Sequence, residues 1–144
     1  MLGVFSAIEI GASGLTAERT RMNTIASNLA NAQTTRTAQG GAYKRVDPVF
    51  EAIALDKMRA LTPSERSVSM VHVTQIAQDQ RPGHMVYSPG HPDANADGYL
   101  EYPNVNIVEE MVNMITASRA YEAGVSSVQA TQKMADSALD LGRG

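Results

Sequence analysis

Apolar positions recur every seven residues at both ends of the chain. In residues 2–32 the series is Ile8, Leu15, Met22 and Leu29, with Phe5, Ile25 and Ala32 three positions before or after a member. Residues 106–141 carry a second series, Ile107, Met114, Tyr121, Val128 and Ala135, accompanied by Met111, Val125 and Leu139. A seven-residue repeat is almost two helical turns, so each series lines one side of a helix and asks for a partner along its whole length. At about 1.5 Å per residue the two helices run on the order of 45–55 Å, long for a domain of this size. Asn106 followed by Glu109 resembles a capping box, Glu110 adds negative charge to the first turn, and Gly142 with Arg143 marks the stop. In the first helix Gly3, Gly11 and Gly14 each cost about 1 kcal/mol relative to Ala. Its first dozen residues are therefore expected to form against a partner.

Between the two ends the period changes. Residues 33–45, QTTRTAQGGAYKR, are polar and hold Gly40 and Gly41, which predicts an extended loop. YKRVDPVFEAIAL (43–55), SVSMVHVTQIA (67–77) and the short GYLEY (98–102) are rich in Val, Ile, Met and Tyr with partial alternation, and these are the predicted strands. DKMRALTPSER (56–66) reads as a hairpin tip or mobile loop. The expected fold is α+β. Long N- and C-terminal helices form an antiparallel coiled-coil-like hairpin, because the chain leaves along one and returns along the other, with a small β-rich insert between them. The segments are 1–35 for the first helix, 36–103 for the insert and its loop, and 104–144 for the second helix.

Composition narrows what such an arrangement can do. Aromatic residues are 5% of 144, with no Trp, two Phe and eight Met, which suits adaptable helix packing better than a jigsaw core. A net charge of −3 with both signs interspersed leaves no electrostatic footprint for nucleic acid or for an anionic membrane. Zero cysteines exclude disulfides, thiolate zinc sites and cysteine nucleophiles. The apolar start MLGVFSAIEIGASG is interrupted by Glu9 and lacks a preceding basic residue, so it is a poor signal peptide. Export, if it occurs, needs another route.

HPDANADGYLEY (91–102) is half of a calcium loop. Asp93, Asn95 and Asp97 alternate and Gly98 follows, but the twelfth position is Asn104 rather than Glu, and three prolines before the loop forbid the entering helix. A polar turn whose short side chains bond their own backbone explains it more simply. His72, His84 and His91 share no ligand spacing, although His91 with Asp93 and Asp97 could meet a metal on this Pro/Gly loop. Nothing resembles a phosphate loop or a nucleophile elbow, and the adjacent Glu109 and Glu110 point apart on a helix. No catalytic, cofactor-binding or metal residue is assigned, and no cofactor is expected.

SGLTAERTRMNTIASNLANAQTT (13–35) places Asn28 and Asn31 on one helical face beside the apolar series. Such amides either fray and end the helix or, buried, bond across to neighbouring helices and set their register. This stretch resembles the N-terminal signature of bacterial flagellar rod and hook proteins. EYPNVNIVEEMVNMITASRAYEAGVSSVQATQKMADSALDLGR resembles the matching C-terminal signature of that family, in the expected order. YSPGHPDANADGYLEYPNVNIVEEM and the short chain narrow the likeness to its proximal rod members, with GGAYKRVDPVFEA adding a weaker match.

The resemblance implies a structural, non-enzymatic subunit of the helical drive shaft that transmits torque. It implies a place in the periplasmic rod of the basal body, reached without a cleaved signal. The implied partners are copies of itself, rod proteins of the FlgB, FlgF, FlgG and FliE types, the MS ring region and the flagellar type III export apparatus, with no nucleic acid and no small-molecule substrate. On this view the assembly interface comprises Ile8, Leu15, Met22, Ile25, Asn28, Leu29 and Asn31 with Ile107, Met111, Met114, Tyr121, Val125 and Val128, and Asn106 with Glu109 caps the second helix. Within the family the alternative is another axial rod or hook subunit, and two other classes carry the same stripes or loop: a soluble helical-hairpin adaptor or export chaperone, and a calcium-regulated module.

Overall fold

The computed structural model describes residues 2–54 and 69–142. In chain order the elements are α1 (Leu2–Ala30), β1 (Val46–Ala54), β2 (Ser69–Gln78), β3 (His84–Tyr87), β4 (Tyr99–Tyr102) and α2 (Ile107–Leu141). The class is α+β, with two helices and two small antiparallel sheets. The expectation for residues 56–66 lies outside the described residues, as does Arg143 in the expected stop of α2.

The helices lie side by side in opposite senses. Gly11 of α1 sits against Val128 of α2, Leu15 sits against Gly124, and Asn28 bonds to Glu110, so positions rise along one helix as they fall along the other. Glycine lets the helices approach closely at the first two levels. A Cβ on Gly11 would lie 2.5 Å from Val128 Cγ2, and one on Gly124 would lie 2.9 Å from Leu15 Cδ2. Gly11, one of the residues that make α1 expensive as an isolated helix, thus lets its partner approach.

β1 pairs with β2 from Val46 opposite Gln78 to Ala54 opposite Ser69. The register slips between Val49 and Phe50, leaving Thr74 without an opposite number, and its hydroxyl donates to Val49 O at 3.2 Å. This sheet lies along α1, with Val71 N–H donating to Ser13 Oγ. β3 pairs with β4, and Tyr87 meets Tyr99 edge to face with ring centroids 5.3 Å apart. β3 is an addition to the three predicted strands. Only four residues between two Pro-Gly pairs are extended, too few to show alternation, and they are held by the longer-range pairing with β4.

The buried side chains gather at one end of the molecule. Ile25, Asn28, Ala42, Leu100, Pro103, Val105, Glu110 and Ala117 come from α1, the loop after it, β4, the connector and the first turns of α2. Away from that end Ala17 is buried and the facing side of α1 half-buried, while most of α2 beyond Val128 is exposed.

Candidate assembly interface

Asn28 is fully buried and uses every hydrogen-bonding capacity of its amide. Nδ2 donates to Val46 O at 2.9 Å and to Glu110 Oε2 at 3.0 Å, while Oδ1 accepts from Val46 N at 3.0 Å and from Tyr43 Oη at 3.1 Å. The side chain pairs with the backbone of Val46 as a neighbouring strand would. One residue of α1 thereby anchors the first residue of β1 and the first turn of α2.

Glu110 is the second centre of this cluster. It is as fully buried as Asn28, and its other oxygen accepts from Arg45 Nε at 2.7 Å. Arg45 also pairs with Asp47, and its backbone N–H donates to Asn104 Oδ1 at 2.7 Å. Burial pulls the guanidinium pKa down, but the Glu110 hydrogen bond and the charges of Asp47 and Glu110 outweigh it and hold the pKa above its ordinary value. The ion pair is charged and satisfied on both sides, the condition under which a buried pair is tolerated. Glu110 also stands in the first turn of α2, where the helix dipole favours a carboxylate. Asn104 completes the junction by donating to Arg81 O at 3.0 Å and Asp79 O at 3.3 Å.

The predicted interface residues divide into three groups. Ile25 and Asn28 are buried, and Ile8, Leu15, Met22, Leu29, Met114, Tyr121, Val125 and Val128 are half-buried along the helix pair. Ile107 and Met111 are exposed, although their spacing places them on the same stripe. Asn31 does not reach another element: Nδ2 donates to Ser27 O and Oδ1 accepts from Thr34 Oγ1, so it closes its own helix end. Asn106 caps α2, Oδ1 accepting from Val108 N and Glu109 N at 3.1 and 3.3 Å. Gly142 ends α2 in right-handed conformation, its N–H donating to Ala138 O. Sequence reasoning missed Glu110 and Arg45 as partners, because one reads as helix-end charge and the other as a loop cation. A carboxylate one position beyond the N3 of a capping box, on the buried side of the helix, was the available signal.

The 91–102 segment is the connector into α2. Asn95 Oδ1 accepts from Asp97 N at 3.0 Å and Tyr99 N at 2.8 Å, and Gly98 takes φ +79 with its N–H on Asn95 O. That turn is built from its own backbone, as expected of Asn. Asp93 instead bonds away from the turn, accepting from Thr35 Oγ1 at 2.8 Å and lying 3.5 Å from Arg36 Nη1. The alternating Asp93, Asn95 and Asp97 therefore do not converge on one point, for Asn95 and Asp93 serve different partners. β4 is held in place by Glu101, whose carboxyl lies below its usual range because it accepts from Gly83 N–H and from Lys44.

Two family models match the chain at the two elements that make this junction. One, described as flagella basal body rod protein, matches residues 8–36, and the other, described as flagellar basal body rod FlgEFG protein C-terminal, matches residues 96–141. Among curated proteins the chain is similar to the flagellar basal-body rod protein FlgC of Borreliella burgdorferi, 38% identical over 99% of this chain and 100% of that protein. It is 36% identical to FlgC of Bacillus subtilis, over 96% of this chain and 98% of that protein, and 36% identical to FlgC of Escherichia coli, over 99% and 100%. Full-length likeness and matching ends lead to one conclusion: the chain belongs to the FlgC family of flagellar basal-body rod proteins, structural subunits of the proximal rod rather than enzymes.

Proposed function

We propose that the terminal helices pair within each subunit along a coiled-coil-like seam and meet neighbouring subunits through a second, outward row, so that rod wall and torque path are one set of helix contacts. The observation that carries the reading is a run of large apolar side chains left uncovered on α2. Val108 is 70%, Val112 57%, Ile115 55% and Met111 54% exposed. A contiguous uncovered apolar face of this kind marks an interaction site. The neighbours are copies of the chain and rod subunits of the FlgB, FlgF, FlgG and FliE types, with the MS ring region below and passage through the flagellar type III export apparatus beforehand. The location is the periplasmic rod, entered without a cleaved signal. Torque then passes through many interlocked contacts, and the methionines on α2 let one surface fit neighbours of slightly different shape.

The reading is tested by Met111→Asp combined with Ile115→Asp. Both sites are exposed, so the purified variant keeps the unfolding midpoint of the parent chain while motility and recovery of the subunit in basal bodies are lost. A variant that still builds functional rods would overturn the assignment of this face.

A further inference from the structure

The β1–β2 hairpin is fastened unevenly to the rest of the chain. At its root Val46 exchanges two hydrogen bonds with the buried Asn28. Asp79, one residue past β2, donates its N–H to Arg45 O at 2.7 Å and accepts from Asn104 Nδ2 at 3.3 Å. Beyond the register slip at Val49 and Phe50 the hold is thinner. Val71 N–H reaches Ser13 Oγ at 3.2 Å, and none of the strand residues is buried. Phe50 is 42% and Val71 39% exposed, although both line a groove with residues of α1 and α2. Two open grooves, of about 440 and 460 Å³, border Val71 and Ala17. The joint is therefore far from the close packing of an interior.

Glu18, in the first groove, adds a cost to the closed position. Its Oε2 is buried without a hydrogen-bond partner, and Arg21 Nη1 lies 3.8 Å away, beyond bonding reach. An oxygen in that state disfavours the arrangement that encloses it, and water entering the groove relieves it.

We propose that the half of the hairpin beyond the bulge is a strap on the helix pair, closed by the Ser13 latch and able to lift while its root and its own strand pairing stay intact. The bulge, where the ladder is already interrupted and bent, is the pivot. Lifting breaks one neutral hydrogen bond and a thin apolar contact and hydrates Glu18, so it needs far less free energy than unfolding the chain. On the assembly reading above, the strap gives one subunit a hairpin whose direction adjusts to its neighbours while the junction at Asn28 stays rigid. The device itself belongs to the free chain.

The test is amide exchange, followed residue by residue by NMR on the free, full-length chain. Val71 N–H points to α1 and reports the latch, whereas by the alternation of an antiparallel ladder His72 N–H points to β1 and reports strand pairing. After correction for intrinsic rates, Val71 is expected to exchange at least about tenfold faster than His72. Ser13→Ala raises the Val71 rate about fivefold and Glu18→Leu, which removes the unpartnered oxygen, lowers it about fivefold, with His72 unmoved in both. Val71 exchanging no faster than His72 would mean that the hairpin leaves the helices only by unfolding, and the strap would be overturned. A Val71 rate in Glu18→Leu at or above that of the parent chain would overturn it as well.

Discussion

Asn28 and Asn31 look equivalent as letters in a sequence, and the structure separates them by what each leaves behind when removed. Asn28→Ala strands Val46 N–H, Val46 C=O and one oxygen of the buried Glu110. At about 1–3 kcal/mol for an unsatisfied buried group, partly relieved by relaxation, the loss is expected to reach about 2–4 kcal/mol in urea unfolding of the free subunit. Asn31→Ala removes only bonds to its own helix end and costs under about 1 kcal/mol. The Arg45–Glu110 pair behaves in the same way. Glu110→Ala alone leaves a guanidinium, 13% exposed, with only Asp47 beside it, and is expected to cost about 3–5 kcal/mol. Arg45→Ala added to it costs less than the sum, and a double-mutant cycle reads the coupling.

At the scale of elements, two glycines on opposite helices predict opposite outcomes. Ala at position 11 meets Val128, a β-branched side chain with little rotamer freedom in a helix. Gly11→Ala therefore pushes the helices apart, and overpacking of about 1–3 kcal/mol exceeds the roughly 1 kcal/mol gained in helix propensity. Ala at position 124 meets only the end of the flexible Leu15, which can turn aside, so Gly124→Ala is neutral or stabilising by up to about 1 kcal/mol. Thermal melts of both variants check the contrast. After β2, Asp79 accepts from Arg81, and that pairing lowers its carboxyl pKa from 3.8 to about 2. A depressed carboxylate contributes stability in full above its unfolded pKa and loses it as pH falls through the folded one. The difference in urea midpoint between the parent chain and Asp79→Asn is thus constant above about pH 5 and closes between pH 4 and 2.

Across the whole molecule, order follows the one-sided core. Buried groups are concentrated where α1, β4 and α2 converge; the β1–β2 sheet flanks α1 as far as Ser13, and beyond it Phe5, Met134 and Leu139 are exposed. Hydrogen exchange of the free subunit is expected to be slowest around Ile25, Asn28, Glu110 and Ala117 and to quicken toward Phe5 and Leu139, with the fast end protected on assembly. Uniform protection along both helices would contradict this gradient. Much of the architecture was legible in the sequence because it is local or repetitive. A seven-residue period extends over several turns, Asn106 announces its own cap, and β-branched runs mark β1 and β2. Family likeness was legible for the same reason, being carried by the two helical ends. The rest depended on meetings between distant residues. β3 exists only opposite β4, Asp93 is drawn to Thr35, and Glu110, an ordinary helix-start carboxylate in the sequence, becomes the buried partner of Asn28 and Arg45. Periodicity could say that Met111 and Met114 lie near one stripe. Only tertiary structure decided that Met114 turns half into the pair and Met111 outward, since the choice depends on the angle at which a second helix crosses the first.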